Sequence, residues 1–417
     1  MVHWVVGALL NKQYIMEVMT QHNALARMNE KVRELRSSSP PHNIGGRGVV
    51  ICAGGMKYFA CAWVCINMLR RRGCQLPVEL WHLGPGELSE KMRCILSPLK
   101  VCCVDAHSVA ETHPSRILNG WELKPYAIIH STFREVLLLD ADNMAVRDPT
   151  FLFDEPAYRR TGAIFWPDYN RLSRRRAIWD LTGVPYRDEP EFETGQIIVD
   201  KVKCWKPLQL SMWMNEYSDF WYRHIHGDKE TFHMAWRKLD QEYAMPSKGI
   251  YPLQGTMCQH DFAGDRLFQH RNLAKWSCGR NQIVPGFEYQ DECFESINML
   301  KNISREVFGL KRYSENGKNS RELDFAKQLI SRRWLYERVG FDCRGMRFNV
   351  DGTIGEGCAR LEQVWNIEEV EAQVVLDLQS DDSLTCRLKW EDGRWSGRWT
   401  QYERMPVLLR PDLSLTT

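Results

Sequence analysis

Two carboxylates stand one residue apart in the stretch EVLLLDADNMAVRDP, residues 135–149. Asp140 and Asp142 follow the apolar run Val136–Leu139, which has strand length. Residues i and i+2 of an extended chain share a side, so the two charges converge. A cation relieves that repulsion. All-oxygen ligands suit Mg²⁺ or Mn²⁺, and Mg²⁺ is commonly held by one or two carboxylates together with phosphates. A bare Asp-x-Asp is more often a solvated loop. The buried strand before it matters, because ligands of open α/β sheets bind beyond the carboxyl ends of strands.

Other residues of chemical use are scattered along the chain. Lys124 in GWELKPYA opens a helix, where the helix dipole disfavours a cation. ETGQIIVDK sets Glu193 and Gln196 around Gly195 at the entry to a strand, and HGDKETF puts Asp228, Lys229 and Glu230 before a helix. LFQHRNLAKW places His270 just after an apolar pair, with Lys275 five residues on. A lone histidine is usually structural, but a carboxylate pair wants a third ligand. Gly54 and Gly55, in AGG after the first strand, would let the backbone approach a nucleotide; they form neither a P-loop nor a G-x-G-x-x-G fingerprint.

The elements that must position these groups read as an α/β sheet. GVVICAGG, LPVELWHL, KVCCVDA, EVLLLD, GAIFWPD and GQIIVDK are strands. YFACAWVCINMLRRRG, ELSEKMRCIL, LKPYAIIHSTF, PLQLSMWMNEYSDFWYRH and DKETFHMAWRKL are helices. Ahead of them residues 11–36 are polar and helix-permissive, and SSSPPHNIGG is a linker. After about residue 345 short alternating strands with Asp351-Gly352 and Asp392-Gly393 turns predict a small antiparallel β module. Its Trp390, Trp395 and Trp399 read as one packed face, with a sugar-binding surface as the rival. The expected division is a helical segment and linker at 1–44, an α/β domain at 45–285, a mixed helical connector at 286–344 and the β module at 345–417.

The 417 residues are ordinary in composition, 44% hydrophobic and 26% charged with net charge +2, which gives no argument for nucleic acid. The 14 cysteines include no C-x-x-C pair, and several lie in apolar segments, as expected of a reducing compartment. No apolar stretch is long enough to span a membrane, and MVHWVVGALL is too short and lacks the basic start of a secretory signal. A cytoplasmic location is therefore the expectation.

Taken in order, LPVELW, GWELKPYAI, EVLLLDADNMAVRDPTFLF, FWPDY, ETGQIIVDK, GDKETF and HRNLAK resemble the fungal α-mannosyltransferases of glycosyltransferase family 71, more distantly family 8. The resemblance covers residues 46–276. It implies a GT-A fold, a Rossmann-like mixed sheet flanked by helices. It implies a metal, Mn²⁺ or Mg²⁺, held by Asp140, Asp142 and His270. It implies a nucleotide-sugar donor, GDP-mannose, met by Gly54, Gly55, Lys124, Asp140, Gly195 and Lys275, and transfer with retention to a glycan or other hydroxyl acceptor. Gln196 and Asp228 are the candidates for the group beside the anomeric carbon, and Asp168 for binding sugar hydroxyls. The fungal relatives carry a Golgi membrane anchor, so the Golgi lumen is the alternative location if an anchor once preceded this sequence.

Three rivals stay open. A UDP-sugar could replace GDP-mannose, since no residue read here distinguishes guanine from uracil. A haloacid-dehalogenase-type phosphatase also ends a strand in Asp-x-Asp, but Met144 stands where Thr or Val is usual and three strands precede this one. A catalytically inactive sugar-binding protein would rely on the C-terminal tryptophans.

Overall fold

The structure is a computed structural model and describes residues 18–380, 384–400 and 402–415. MVHWVVGALL and the start of the expected N-terminal helix lie outside the described residues. Within them a helix covers Ala24–Glu34, with Ala24 and Met28 buried. Met19, Ala24, Met28 and Leu35 join the core of the main sheet, so this segment is packed into the first domain rather than separate from it.

The main sheet contains β1 (Arg47–Cys52), β2 (Val78–His82), β3 (Val101–Asp105), β4 (Glu135–Asp140), β6 (Ala163–Pro167) and β7 (Phe192–Asp200), in the order β3-β2-β1-β4-β7-β6. The first four strands of that order are parallel. β7 runs antiparallel to both β4 and β6. This is the mixed, helix-flanked GT-A-like sheet expected. The apolar run before Asp140 is explained by burial on both faces. Leu137 and Leu139 join one core with the helix Gly55–Arg71, while Val136 and Leu138 join the other with the helices Leu123–His130 and Trp205–Glu216. Each such side chain contributes about 1.5–3 kcal/mol on burial.

A second sheet was not legible in the sequence. It comprises β5 (Asn143–Ala145), β8 (Tyr251–Leu253), β9 (Thr256–His260) and β10 (Arg266–His270), in the order β5-β10-β9-β8. Its strands are three to five residues long and bury Gln259, His260, Gln269 and His270, so no apolar period marks them. Side-chain hydrogen bonds compensate this burial: Gln259 Nε2 donates to the Pro167 carbonyl and Gln269 Nε2 to that of Glu288.

The third sheet begins earlier than expected. It is built from β11 (Trp334–Arg338), β12 (Asp342–Met346), β13 (Val364–Val370), β14 (Gln373–Gln379), β15 (Leu384–Glu391), β16 (Arg394–Trp399) and β17 (Tyr402–Pro411). Its order is β12-β11-β17-β16-β15-β14-β13, antiparallel throughout. The expected boundary at 345 therefore falls inside β12. The charged residues of WLYER disguised β11, whose Trp334 and Tyr336 alternate into the core. The expected connector divides between the two units. The helix Gln290–Val307 packs on the helix Gly55–Arg71, where Trp63 Nε1 donates to the Ser296 carbonyl at 2.7 Å. The helix Ser320–Ile330 packs under the third sheet.

Asp392 and Gly393 both take positive φ in the turn between β15 and β16, as a type I′ hairpin requires. Trp395 is buried and Trp390 meets it edge-on at 5.3 Å, with Trp399 packed against the same core, so the packed-face reading holds. All 14 cysteines are free thiols. Among the described residues no helix is long and apolar enough to cross a membrane.

Candidate metal and nucleotide-sugar site

Asp140 closes β4, and the chain passes through Ala141 and Asp142 directly into β5. β5 pairs with β10 so that Asn143 faces His270. The Asp142 carbonyl accepts the Arg271 N–H at 2.9 Å, which extends the pairing by one residue. This ladder sets His270 against the carboxylates. Nε2 of His270 lies 3.1 Å from Asp142 Oδ1 and 3.7 Å from Asp140 Oδ2. One ligand atom from each of the three residues falls within 4.8 Å of the others.

The other imidazole nitrogen has a partner that sequence reading could not name. Nδ1 lies 3.4 Å from Glu193 Oε1, which also accepts the Gly195 N–H at 2.7 Å. Gly195 is required here. A Cβ at that position would stand 2.5 Å from His270 Nδ1 and 2.8 Å from Glu193 Oε1. β7 thus runs close under the histidine because one of its residues lacks a side chain.

Lysines flank the carboxylates on two sides. Lys275 pairs with Asp142. Lys124 Nζ lies 2.8 Å from Asp140 Oδ1 and 3.5 Å from Asp228 Oδ2, and Thr194 Oγ1 donates to the same Asp228 oxygen at 2.9 Å. Asp142 and His270 are enclosed, whereas the Asp140 and Lys275 side chains retain 21% and 27% of their surface and mark the open side. The glycine loop adjoins this opening, since Cys52 of β1 is in register with Asp140. Glu87 fills the space a Gly54 side chain would need, and Gly55 takes φ +64 to start its helix.

Asn143, overlooked in the sequence, ties the loop to β7. Its Nδ2 donates to the Gly195 carbonyl at 2.8 Å and to Gln196 Oε1 at 2.7 Å. Gln196 is fully buried; its Oε1 accepts from Asn143, while its Nε2 has no hydrogen-bond partner. Asp168 also stands apart from the three-residue cluster. It pairs with Lys229, which lies 2.7 Å from Glu191 Oε2 and 3.7 Å from Glu230 Oε1. The Asp228–Lys229 peptide links that second ionic group to the first.

Electrostatics bind the site together. Burial pushes the His270 imidazolium toward losing its proton, but Asp142 and Glu193 outweigh it and raise the pKa to about 10. Burial likewise opposes ionisation of Asp142, and His270 with Lys275 holds its pKa well below the usual carboxylate range. Asp140 goes the other way, raised by burial against the pull of Lys124 and His270. Burial opposes the charge on Lys124, but Asp140 and Asp228 keep it protonated. The imidazolium thus neutralises charge that a divalent ion would otherwise neutralise. Two carboxylates and an imidazole, with a further carboxylate behind the ring, are a fitting donor set for Mn²⁺.

The family model described as "Mannosyltransferase putative" matches residues 46–190 and 185–256. Alpha-1,2-mannosyltransferase MNN2 of Saccharomyces cerevisiae is 28% identical over 283 residues, covering 56% of this chain and 46% of that protein. Alpha-1,2-mannosyltransferase MNN24 of Candida albicans is 25% identical over 313 residues, covering 61% and 44%. The chain spans about half the length of the curated relatives it matches. Among solved structures, mouse xyloside xylosyltransferase 1 is similar with a TM-score of 0.35 at 14% identity, over 48% of this chain and 84% of that one. The galactosyltransferase LgtC, solved with donor and acceptor sugar analogs, gives a TM-score of 0.34 at 14% identity, over 47% and 73%.

Proposed function

Because the chain belongs to this mannosyltransferase family, we propose that it transfers a mannosyl residue from GDP-mannose to a hydroxyl of a glycan acceptor, with retention at the anomeric carbon. The observation that carries the reading is the convergence of Asp140, Asp142 and His270 between two lysines. Asp140, Asp142 and His270 would hold Mn²⁺, or Mg²⁺ in its place. Such an ion, when bound, supplies positive charge to a departing diphosphate.

The chain's own groups do the rest. Lys275, on the open side, pairs with phosphate oxygens and stabilises the leaving group. Lys124 holds Asp140 and Asp228 in fixed positions and adds a second cation to that flank. Glu193 orients the His270 ring. Asp228, fixed between Lys124 and Thr194, is the carboxylate available to an oxocarbenium-like centre. Asn143 and Gln196 keep the aspartate loop against β7. Asp168 and Lys229 together offer an acceptor and donors to sugar hydroxyls. Gly54 and Gly55 line the nucleotide's approach with backbone.

The C-terminal tryptophans pack inward, which leaves the sugar-binding rival without its surface. A UDP-sugar donor is tested directly. Hydrolysis of a panel of GDP- and UDP-sugars with Mn²⁺ should favour GDP-mannose and stop in EDTA. Preference for a UDP-sugar would overturn the donor assignment, and full turnover in EDTA the metal.

A further inference from the structure

Outside the charged cluster one aromatic stands in an unusual position. Trp121 lies in the short turn Gly120–Glu122 that leads into the helix bearing Lys124. It is 47% exposed, and among the described residues no other tryptophan is exposed. An indole left in water loses the burial that usually holds a tryptophan in place, so something else must fix it.

Its seat is built from the segment that leads into Asp228. Gly227, at φ +79, lies under the ring, and a Cβ there would come within 2.9 Å of the indole Cε3. Tyr222 meets the ring edge-on at 6.0 Å and His226 at a tilt at 6.3 Å. Gly227 is followed by Asp228, and Trp121 precedes Lys124 by less than a helical turn. Lys124 and Asp228 are themselves paired at 3.5 Å. The exposed indole therefore packs on the residue before Asp228, from a turn three residues before Lys124.

We infer that Trp121 is the platform on which the acceptor's hexose ring stacks, its C–H face against the indole, as the acceptor hydroxyl approaches the reacting centre. This rests on the function proposed above and adds the place where the second substrate is held. A pyranose has one face of C–H groups and a rim of hydroxyls. A flat apolar ring beside Asp228 and Lys124 matches both. The nucleotide end of the donor is the alternative occupant of a flat ring, but the Gly54–Gly55 loop and the His270–Lys275 flank provide for it elsewhere.

The test compares Trp121→Ala and Trp121→Phe with the wild-type full chain. The probes are methyl α-D-mannopyranoside and α-mannobiose as acceptors, with GDP-mannose as donor. Trp121→Ala should raise the acceptor KM at least tenfold with a much smaller change in donor KM, and Trp121→Phe should recover most of the loss. Saturation-transfer NMR with α-mannobiose reads the platform without turnover: contact with the wild type should vanish in Trp121→Ala. A raised donor KM would assign the ring to the nucleobase instead. A lowered Tm with unchanged acceptor KM would make Trp121 a packing residue. If the wild type hydrolyses no sugar nucleotide yet contacts mannobiose through Trp121, the transfer reading fails and the platform stands. If the wild type shows no contact, the platform falls.

Discussion

His270 Nε2 lies 3.1 Å from Asp142 Oδ1 although 128 residues separate them in the chain. The pairing of β5 with β10 makes this contact, and it decides whether His270 is a ligand or a core histidine. His270→Ala should weaken Mn²⁺ binding far more than it lowers the Tm of the metal-free protein. A large fall in Tm with Mn²⁺ affinity retained would make the ring structural.

Lys275 shares Asp142 with His270 but cannot ligate a metal. Lys275→Ala should leave Mn²⁺ affinity at or above the wild-type value, because an ammonium that competes for the carboxylate is gone. Nucleotide-sugar binding or turnover should fall instead. Isothermal titration with Mn²⁺ and then with GDP-mannose separates the two; lost Mn²⁺ affinity would contradict the assignment.

Gly195 carries the close approach of β7 to the histidine. Gly195→Ala must push the imidazole or Glu193 aside, at a cost of roughly 1–3 kcal/mol by analogy with overpacked cores. Urea denaturation should show that loss, and Mn²⁺ affinity should fall with it. Glu193→Gln keeps the space but removes the charge behind the ring, and should weaken metal binding by about 10- to 100-fold.

A pH test lies away from the site. Glu189 sits among His233, Arg237 and Tyr243. Burial opposes its charge, but His233 and Tyr243, with Arg237, lower its pKa to about 2 from an ordinary 4.5. A depressed carboxylate adds stability that is complete above its unfolded value and lost as pH falls through the folded one. Thermal melts should therefore place Glu189→Gln below the wild type at pH 7, with the gap closing between about 4.5 and about 2. A gap that does not change over that window would contradict the ion-pair account.

The boundary between the two larger units is testable by truncation. A chain ending after Gly309 keeps the helix Gln290–Val307 on its core and should fold and hydrolyse donor. A chain ending near residue 340 keeps β11 without β17, exposes Trp334 and Tyr336, and should aggregate. Soluble behaviour of the longer piece alone would contradict this division.

What could be read without the structure follows from pattern strength. β4 and the strands beside it were legible because residues on both faces are apolar, and the helix Gly55–Arg71 because Phe59, Trp63 and Ile66 recur at helical spacing, although Phe59–Ile66 is buried on every side. Asp140, Asp142, His270 and Lys275 were legible as types in order, and the fold brings all four together. The second sheet was not, because its strands are short and its buried residues polar. Asn143 was missed because its role exists only once the fold brings β5 to Gly195 and Gln196 of β7. Gln196 is expected as an amide beside the anomeric carbon, and no local pattern shows that its Oε1 accepts from Asn143 while its Nε2 stays without a partner.

The account's central claim is that Asp140, Asp142 and His270 form one cation site. Electron paramagnetic resonance of Mn²⁺ titrated into the protein tests it most directly, since bound ion leaves the free-ion signal. The wild type should take up one Mn²⁺ per chain, and Asp142→Asn, with its fold intact by circular dichroism, should take up none. Uptake by Asp142→Asn equal to that of the wild type, or no uptake by either, would contradict it.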